Sequence, residues 1–310
     1  MFSSRTFVIA AALAAAATSV HAQAAFDTSK IVELELLTNT EVYDKIHNQG
    51  MTSVLVVTGG TEARGPHNIL AGHTIMAHNR AVEIAKVLGH TLVAPVLPIA
   101  VDATGVSEET KTPGGVEMPA DVFKLVQLAQ IQSMVDNGFK DIFLMSDHGG
   151  GQKQLEEAAA EMDAKLAPKG IHVYYINDFY QKTHDDIAMY LYEHDLPVGG
   201  HGAMMETSEM LYWQTKDGAY VRPNYKTVPG DPTGQTNEEW KAAQDAIKAG
   251  KRPERRPRDP NAPPRLGNGL TGDPHASTPE LGKIFAEMGI NNTVAEIREQ
   301  MAAKRGTSRQ

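Results

Sequence analysis

Three short stretches of this 310-residue chain carry the side chains with chemical potential: Thr61-Glu62-Ala63-Arg64-Gly65-Pro66-His67, Asp147-His148-Gly149-Gly150, and His201 to Ser208. Each brings carboxylates or imidazoles together with small residues. Those are the donor types that bind a divalent metal and transfer protons, and glycine lets a backbone approach such a centre closely. The chain has no cysteine, so disulfides and thiolate metal sites are excluded and any metal must take oxygen and nitrogen ligands. The pattern points to a metal hydrolase of altered make-up.

These stretches need elements to position them. Val54 to Thr58 is a continuous, largely β-branched run closed by Gly59-Gly60, and Thr91 to Val96, Ile142 to Met145 and Val173 to Ile176 repeat the short apolar run. Helix-spaced apolar positions lie between them, in Ile75 to Leu88, in Val122, Leu125, Leu128 and Ile131, and in Leu155 to Leu166. Apolar strands alternating with helices predict a mostly parallel sheet covered on both faces, an α/β/α sandwich. Ligands of such sheets collect beyond the carboxyl ends of the strands. Glu62, His148 and Asn177-Asp178 each follow a strand end, so three strands are expected to present polar groups at one rim. Further on, Thr278-Pro279-Glu280 reads as a helix start, with Thr as cap and Pro at the first helical position.

The remaining composition sets bounds. Met1 to Ala22, with Arg5 and an alanine-rich apolar run from Phe7 to Ala17, reads as a secretory signal peptide cut near Ala22-Gln23, which predicts a periplasmic or secreted protein. Residues 23–310 are then expected to form one hydrolase domain. No later segment is apolar for long enough to span a bilayer. The formal net charge of −9 argues against a nucleic-acid partner, and loss of Arg5 with the leader makes the mature chain one unit more acidic. From Val228 to Leu266 proline and charge dominate, around Lys251 to Arg258, which reads as an exposed insertion.

Glu62 and its neighbours also carry a resemblance. Gly59 to Thr74 resembles the creatininase (creatinine amidohydrolase) signature G-S-x-E-Q-H-G-P-H-L-P-L-x-T-D-T. Gly138-Phe139 with Ser146 to Gly151 resembles its G-F and N-x-H-G-G-N segments, His201 to Ser208 its H-A-G-E-x-E-T-S, and Gly272-Asp273-Pro274 to Gly282-Lys283 its closing G-D-P and G-K. The resemblance implies an α/β/α sandwich, often a homo-oligomer, whose two metals activate water against cyclic amides or related small rings. In the family the first metal is held by the Glu of E-Q-H, the Asp of T-D and the His of H-G-G, and the second by the His of E-Q-H and the shared Asp. Carried across, the first-site ligands are Glu62, His73 in place of Asp, and His148.

The departures define the expectation. Arg64 replaces the second-site His, and a guanidinium offers no lone pair to a metal. One metal per subunit is therefore expected, zinc first, with iron or manganese as alternatives. Arg64 is expected to orient a substrate carboxylate or stabilise an oxyanion, while Glu206 or His201 manages a proton; His67 is expected to support the ligands. Gly105 to Thr110 and Pro113 to Gly115 resemble a substrate-facing loop, which makes Ser107, Glu108 and Gly114, with Asp178, candidate substrate contacts. Thr110 stands where His is usual, so the substrate is expected to be a small polar ring or amide other than creatinine. Two readings stay open beside this one: an inactive periplasmic small-molecule-binding protein, and a ring-opening hydrolase or lyase of a carbohydrate-derived ketone.

Overall fold

In the computed structural model of the protein, residues 27–101, 114–214, 219–230, 242, 245–246, 249 and 267–307 are described. Everything below belongs to the compact unit Ile31–Gln310. Four strands form a parallel sheet: β1 (Ser53–Thr58), β2 (Thr91–Val93), β5 (Asp141–Ser146) and β6 (His172–Tyr175), in the order β2-β1-β5-β6. Val54 to Val57 and Ile142 to Met145 are all buried, as continuous apolar runs in a two-sided sheet must be. β2 is shorter than the Thr91 to Val96 run suggests. Pro95 lacks the N–H a further ladder bond needs, and Leu97 returns only as an isolated bridge to Thr58. A second parallel pair, β3 (Ala100–Val101) and β4 (Glu117–Met118), is too short to leave a pattern in the sequence.

Helices cover the sheet. α1 (Asn39–His47) starts with a capping box between Thr38 and Glu41. α2 (Gly72–Leu88) packs on β1 and β2, whereas α3 (Ala120–Asn137) and α4 (Gln152–Leu166) pack together, with α4 on β5 and β6. Right-handed crossovers put α2 on one face and α3 and α4 on the other, because the chain moves outward from β1 in opposite directions. α3 buries Phe123, Gln127 and Ile131, with Leu128 partly buried against the core, while Val122 and Leu125 are exposed, so the expected stripe holds at Leu128 and Ile131 and gives way to Phe123 and Gln127 nearer the start of the helix. α5 (Gln181–Glu193) and α6 (Met204–Trp213) both pack on the last helix, α7 (Pro279–Thr307), which also lies on α2. Leu281 N–H donates to Thr278 Oγ1, the expected cap, and 29 residues of α7 run roughly 43 Å.

The α/β architecture with a mostly parallel sheet is the expected one. Its order places the reversal of chain direction between β1 and β5, the crevice where such sheets bind ligands. No helix among the described residues is long and apolar enough to cross a membrane.

Candidate metal centre

The loop after β1 carries Glu62 and the loop after β5 carries His148, so both arrive at this crevice from adjacent strands. His73 is the second residue of α2, His201 precedes α6, and Glu206 lies in the first turn of α6. Gly60 makes the approach feasible. A Cβ there would lie 2.9 Å from His148 Cδ2, so the His148 ring uses space that glycine leaves open, and the His73 ring would only touch it, at 3.5 Å.

The Glu62 carboxylate is the hub. His73 Nε2 is 2.7 Å and His201 Nδ1 2.7 Å from Oε1, and His148 Nε2 is 3.1 Å from Oε2. One donor atom each from Glu62, His73 and His148 falls within 4.8 Å of the other two, and the same holds for His73, His201 and Glu206. His201 Nδ1 is buried and lacks a hydrogen bond despite its closeness to Glu62, because the angle is wrong. Its side chain is nonetheless 44% exposed, so the rest of the ring forms part of the accessible mouth.

Arg64 sits behind this hub. Its side chain is 0% exposed, with Nη2 3.2 Å from Glu62 Oε1 and Nη1 3.1 Å from Glu206 Oε2. The guanidinium lies against Gly72, where any Cβ would overlap it; the small residue at 72 makes room for the large one at 64. Arg64 is thus walled in by two carboxylates with none of its side chain exposed, the setting of a buried counter-charge. Glu206 is also committed, accepting the Gly202 N–H at 2.6 Å. Its first-turn position suits the helix dipole as well, so the site role and the capping role coincide.

The electrostatics follow. Burial raises the Glu62 carboxyl, but the hydrogen bond from His148, the close approach of His201 and the hydrogen bond from His73 outweigh it and hold the group well below the usual carboxylate range. Burial likewise raises Glu206, and the Arg64 charge, with His201 and His73, brings it below its ordinary value. In His73 burial and Arg64 oppose protonation, yet bonds to Asp147 and Glu62 prevail and push the metal-free imidazolium up to about 9.

Beneath the hub lies a chain of charge that the sequence reading missed. His73 Nδ1 is 2.8 Å from Asp147 Oδ2, Arg80 Nη1 donates to Asp147 Oδ1 at 2.8 Å, and Arg80 grips Glu209 through Nε at 2.6 Å and through Nη2. Trp213 Nε1–H donates to Glu209 Oε1 at 3.0 Å. A signal existed: Arg80 follows His73 by two helical turns, on the same face of α2, and Glu209 follows Glu206 at helical spacing.

Other expected residues fall as follows. His67 is buried, with Nε2 2.8 Å from Gly202 O and 3.1 Å from Thr207 Oγ1. Gly114 lies against Leu70. Asp178 is not at the hub: its N–H donates to Glu296 Oε2 at 2.8 Å, and its carboxyl, raised by burial and by Asp186 and Glu299 against Lys182, belongs to the α5 and α7 side. Ser107 and Glu108 lie outside the described residues, as does nearly all of the 228–266 insertion.

The family model for creatininase, described as creatinine amidohydrolase, matches residues 35–297. The chain belongs to the creatininase family. Among solved structures, a creatininase described as the Mn form shares 19% identity with a TM-score of 0.61, covering 87% of this chain and 98% of its own. A creatininase of Zn–Zn type gives 19% and 0.62 over the same shares. A Bacteroides fragilis protein assigned as a creatinine amidohydrolase gives 16% and 0.61, covering 87% of this chain and 96% of its own. No curated protein matches the chain in sequence. Within the creatininase family signature, the changes to Arg64, Gly72 and His73 meet at one point of the structure, where they fit one another sterically and electrically.

Proposed function

We propose that the protein is a metal-dependent hydrolase of a small cyclic amide or related polar ring, built on a single divalent ion held by Glu62, His73 and His148. The observation that carries this reading is the convergence of one carboxylate and two imidazoles on a common point at the β1/β5 crevice. Two tests of fit support it. Half-buried Glu62 and the buried Asp147, Glu206 and Glu209 form an acidic set opposed, among the described residues, by two buried guanidiniums, Arg64 and Arg80. With neutral imidazoles, a divalent cation cancels the remainder. Second, His201 Nδ1 is a buried polar atom whose bonding capacity is unused, which is costly unless a bound group meets it. Two imidazoles and a carboxylate suit zinc, with iron or manganese as alternatives.

Arg64 supports a count of one. Its permanent charge lies between Glu62 and Glu206, where it supplies electrostatically what a second cation would and offers it no ligand. When bound, the ion lowers the pKa of water and polarises a carbonyl. The chain's own residues do the rest. Glu206, held ionised and tied to the Gly202 N–H, fixes the turn that presents His201. His201, the accessible member, faces substrate and handles the proton. The buried face formed by Arg64, His67 and Glu206 keeps water out of the rear of the site.

Export after cleavage near Ala22 and assembly with further copies of the chain are parts of the same proposal. Metal analysis of purified protein should find about one equivalent per subunit, and two equivalents would overturn the count. Turnover of a panel of lactams, hydantoins and cyclic ketones, with and without added metal, tests the chemistry. Hydrolysis of the ring amides is the expected result; ketone turnover alone, or binding without turnover, would replace this reading with the corresponding alternative.

A further inference from the structure

We infer that Asp147, locked in place by Arg80 and Glu209, is the positioning residue that makes His73 a ligand through Nε2. The inference rests on the one-metal reading above and deepens it. A carboxylate at position 73, as in the family signature, would offer equivalent oxygens and need no internal choice. An imidazole must choose: to offer Nε2 it must keep its proton on Nδ1. Asp147 Oδ2, 2.8 Å from Nδ1, is placed to accept a hydrogen bond from Nδ1–H, which leaves Nε2 as the ring atom that faces the Glu62 hub. Ligand imidazoles are generally oriented by such an acceptor on the far nitrogen.

Asp147 could not do this alone. It is buried, and an isolated carboxylate there would become protonated or move. Arg80 supplies the opposing charge, with Nη1 donating to Asp147 Oδ1 at 2.8 Å. Arg80 shares α2 with His73, so both ends of the Asp147 carboxylate are bound to one helix face: Oδ2 to His73 and Oδ1 to Arg80. Glu209 and Trp213 of α6 then hold Arg80 from behind. The same β5 loop thereby supplies one ligand, His148, and the brace for another.

A purely structural network would predict a stability loss and nothing more, so the test reads the metal. Wild type and Asp147→Asn are compared in zinc affinity by chelator competition, in the absorption bands of the cobalt(II)-loaded protein, and in melting of the chelator-treated protein. Asp147→Asn should weaken zinc binding roughly 10- to 100-fold and shift the cobalt bands. Unchanged affinity and bands would overturn the inference while leaving the one-metal reading intact. Wild type that binds no divalent metal would overturn both. Should Asp147→Asn fail to fold, the His73 ring nitrogens of zinc-loaded wild type decide by 15N NMR: a protonated Nδ1 with metal-bound Nε2 is expected, and the reverse assignment overturns it.

Discussion

The carboxyl ends of β5 and β6 lie side by side in one sheet, yet only the β5 end gathers a cluster of donors. At β5 the neighbour is β1, and the chain leaves these two strands in opposite directions, so the loops after them border an open crevice. Glu62 and His148 meet there, with α2 and α6 supplying His73, His201 and Glu206. At β6 the strand is the edge of the sheet. The Asn177 and Asp178 N–H groups are absorbed by one residue of α7, Glu296, at 3.2 and 2.8 Å. A polar group after a strand is therefore a weak indicator by itself; its distance from the reversal in strand order decides whether it meets partners or is covered by a helix.

That contrast is broken most directly by removing the hub. Glu62→Gln keeps the shape but gives up the charge that three imidazoles and Arg64 converge on. Metal affinity should drop by more than the hundredfold typical of losing an outer-shell partner, read by calorimetric titration with zinc. Retention of wild-type affinity would mean that the crevice is not the metal site.

The second test uses pH. In the metal-free protein the folded His73 value is raised from 6.5 to about 9. A raised imidazole stabilises the fold fully below its unfolded value, and that contribution is lost as pH climbs toward 9. Its size is on the order of a few kcal/mol. Chelator-treated protein should thus lose melting temperature between pH 6.5 and 9, whereas the metal-loaded form should not, because the ion takes the place of the proton. Parallel profiles for the two forms would remove His73 from the metal site.

The legible and illegible parts of this molecule separate along physical lines. β1 and β5 could be read because a strand buried on both faces needs an unbroken apolar run, and the donors next to them stand in short local motifs. The Arg80 network could not be read in the same way. A charged residue inside a helix normally marks a solvated face, and what reverses that here comes from far along the chain: Asp147 lies 67 positions from Arg80 and Glu209 lies 129 positions away. Arg64 shows the same limit from another side. The sequence identifies a guanidinium in place of a ligand, but only the fold reveals that Glu62 and Glu206 enclose it. On α3 the inward stripe is Phe123, Gln127 and Ile131, and a buried glutamine misled a pattern read from apolar residues alone. Gln127 is inside because its amide reaches Thr58 Oγ1 at 3.3 Å, another long-range partner.

The smallest expected effect is the one that makes the comparison sharpest. Asp178 lies in the loop after β6 as Asp147 lies in the loop after β5, so the two aspartates follow neighbouring strands. Asp178 carries a raised carboxyl, set by partial burial and by Asp186 and Glu299 against Lys182, and its backbone rather than its side chain makes the bond to Glu296. Asp178→Asn removes a like-charge contact and no ligand or brace. Stability should stay within about 0.5 kcal/mol of wild type, with zinc affinity and turnover unchanged. The same substitution one strand inward, at Asp147, is expected to cost metal affinity. If Asp178→Asn instead lowers turnover while zinc affinity holds, the substrate reaches past the crevice to the edge strand, and β6 must be counted as part of the site.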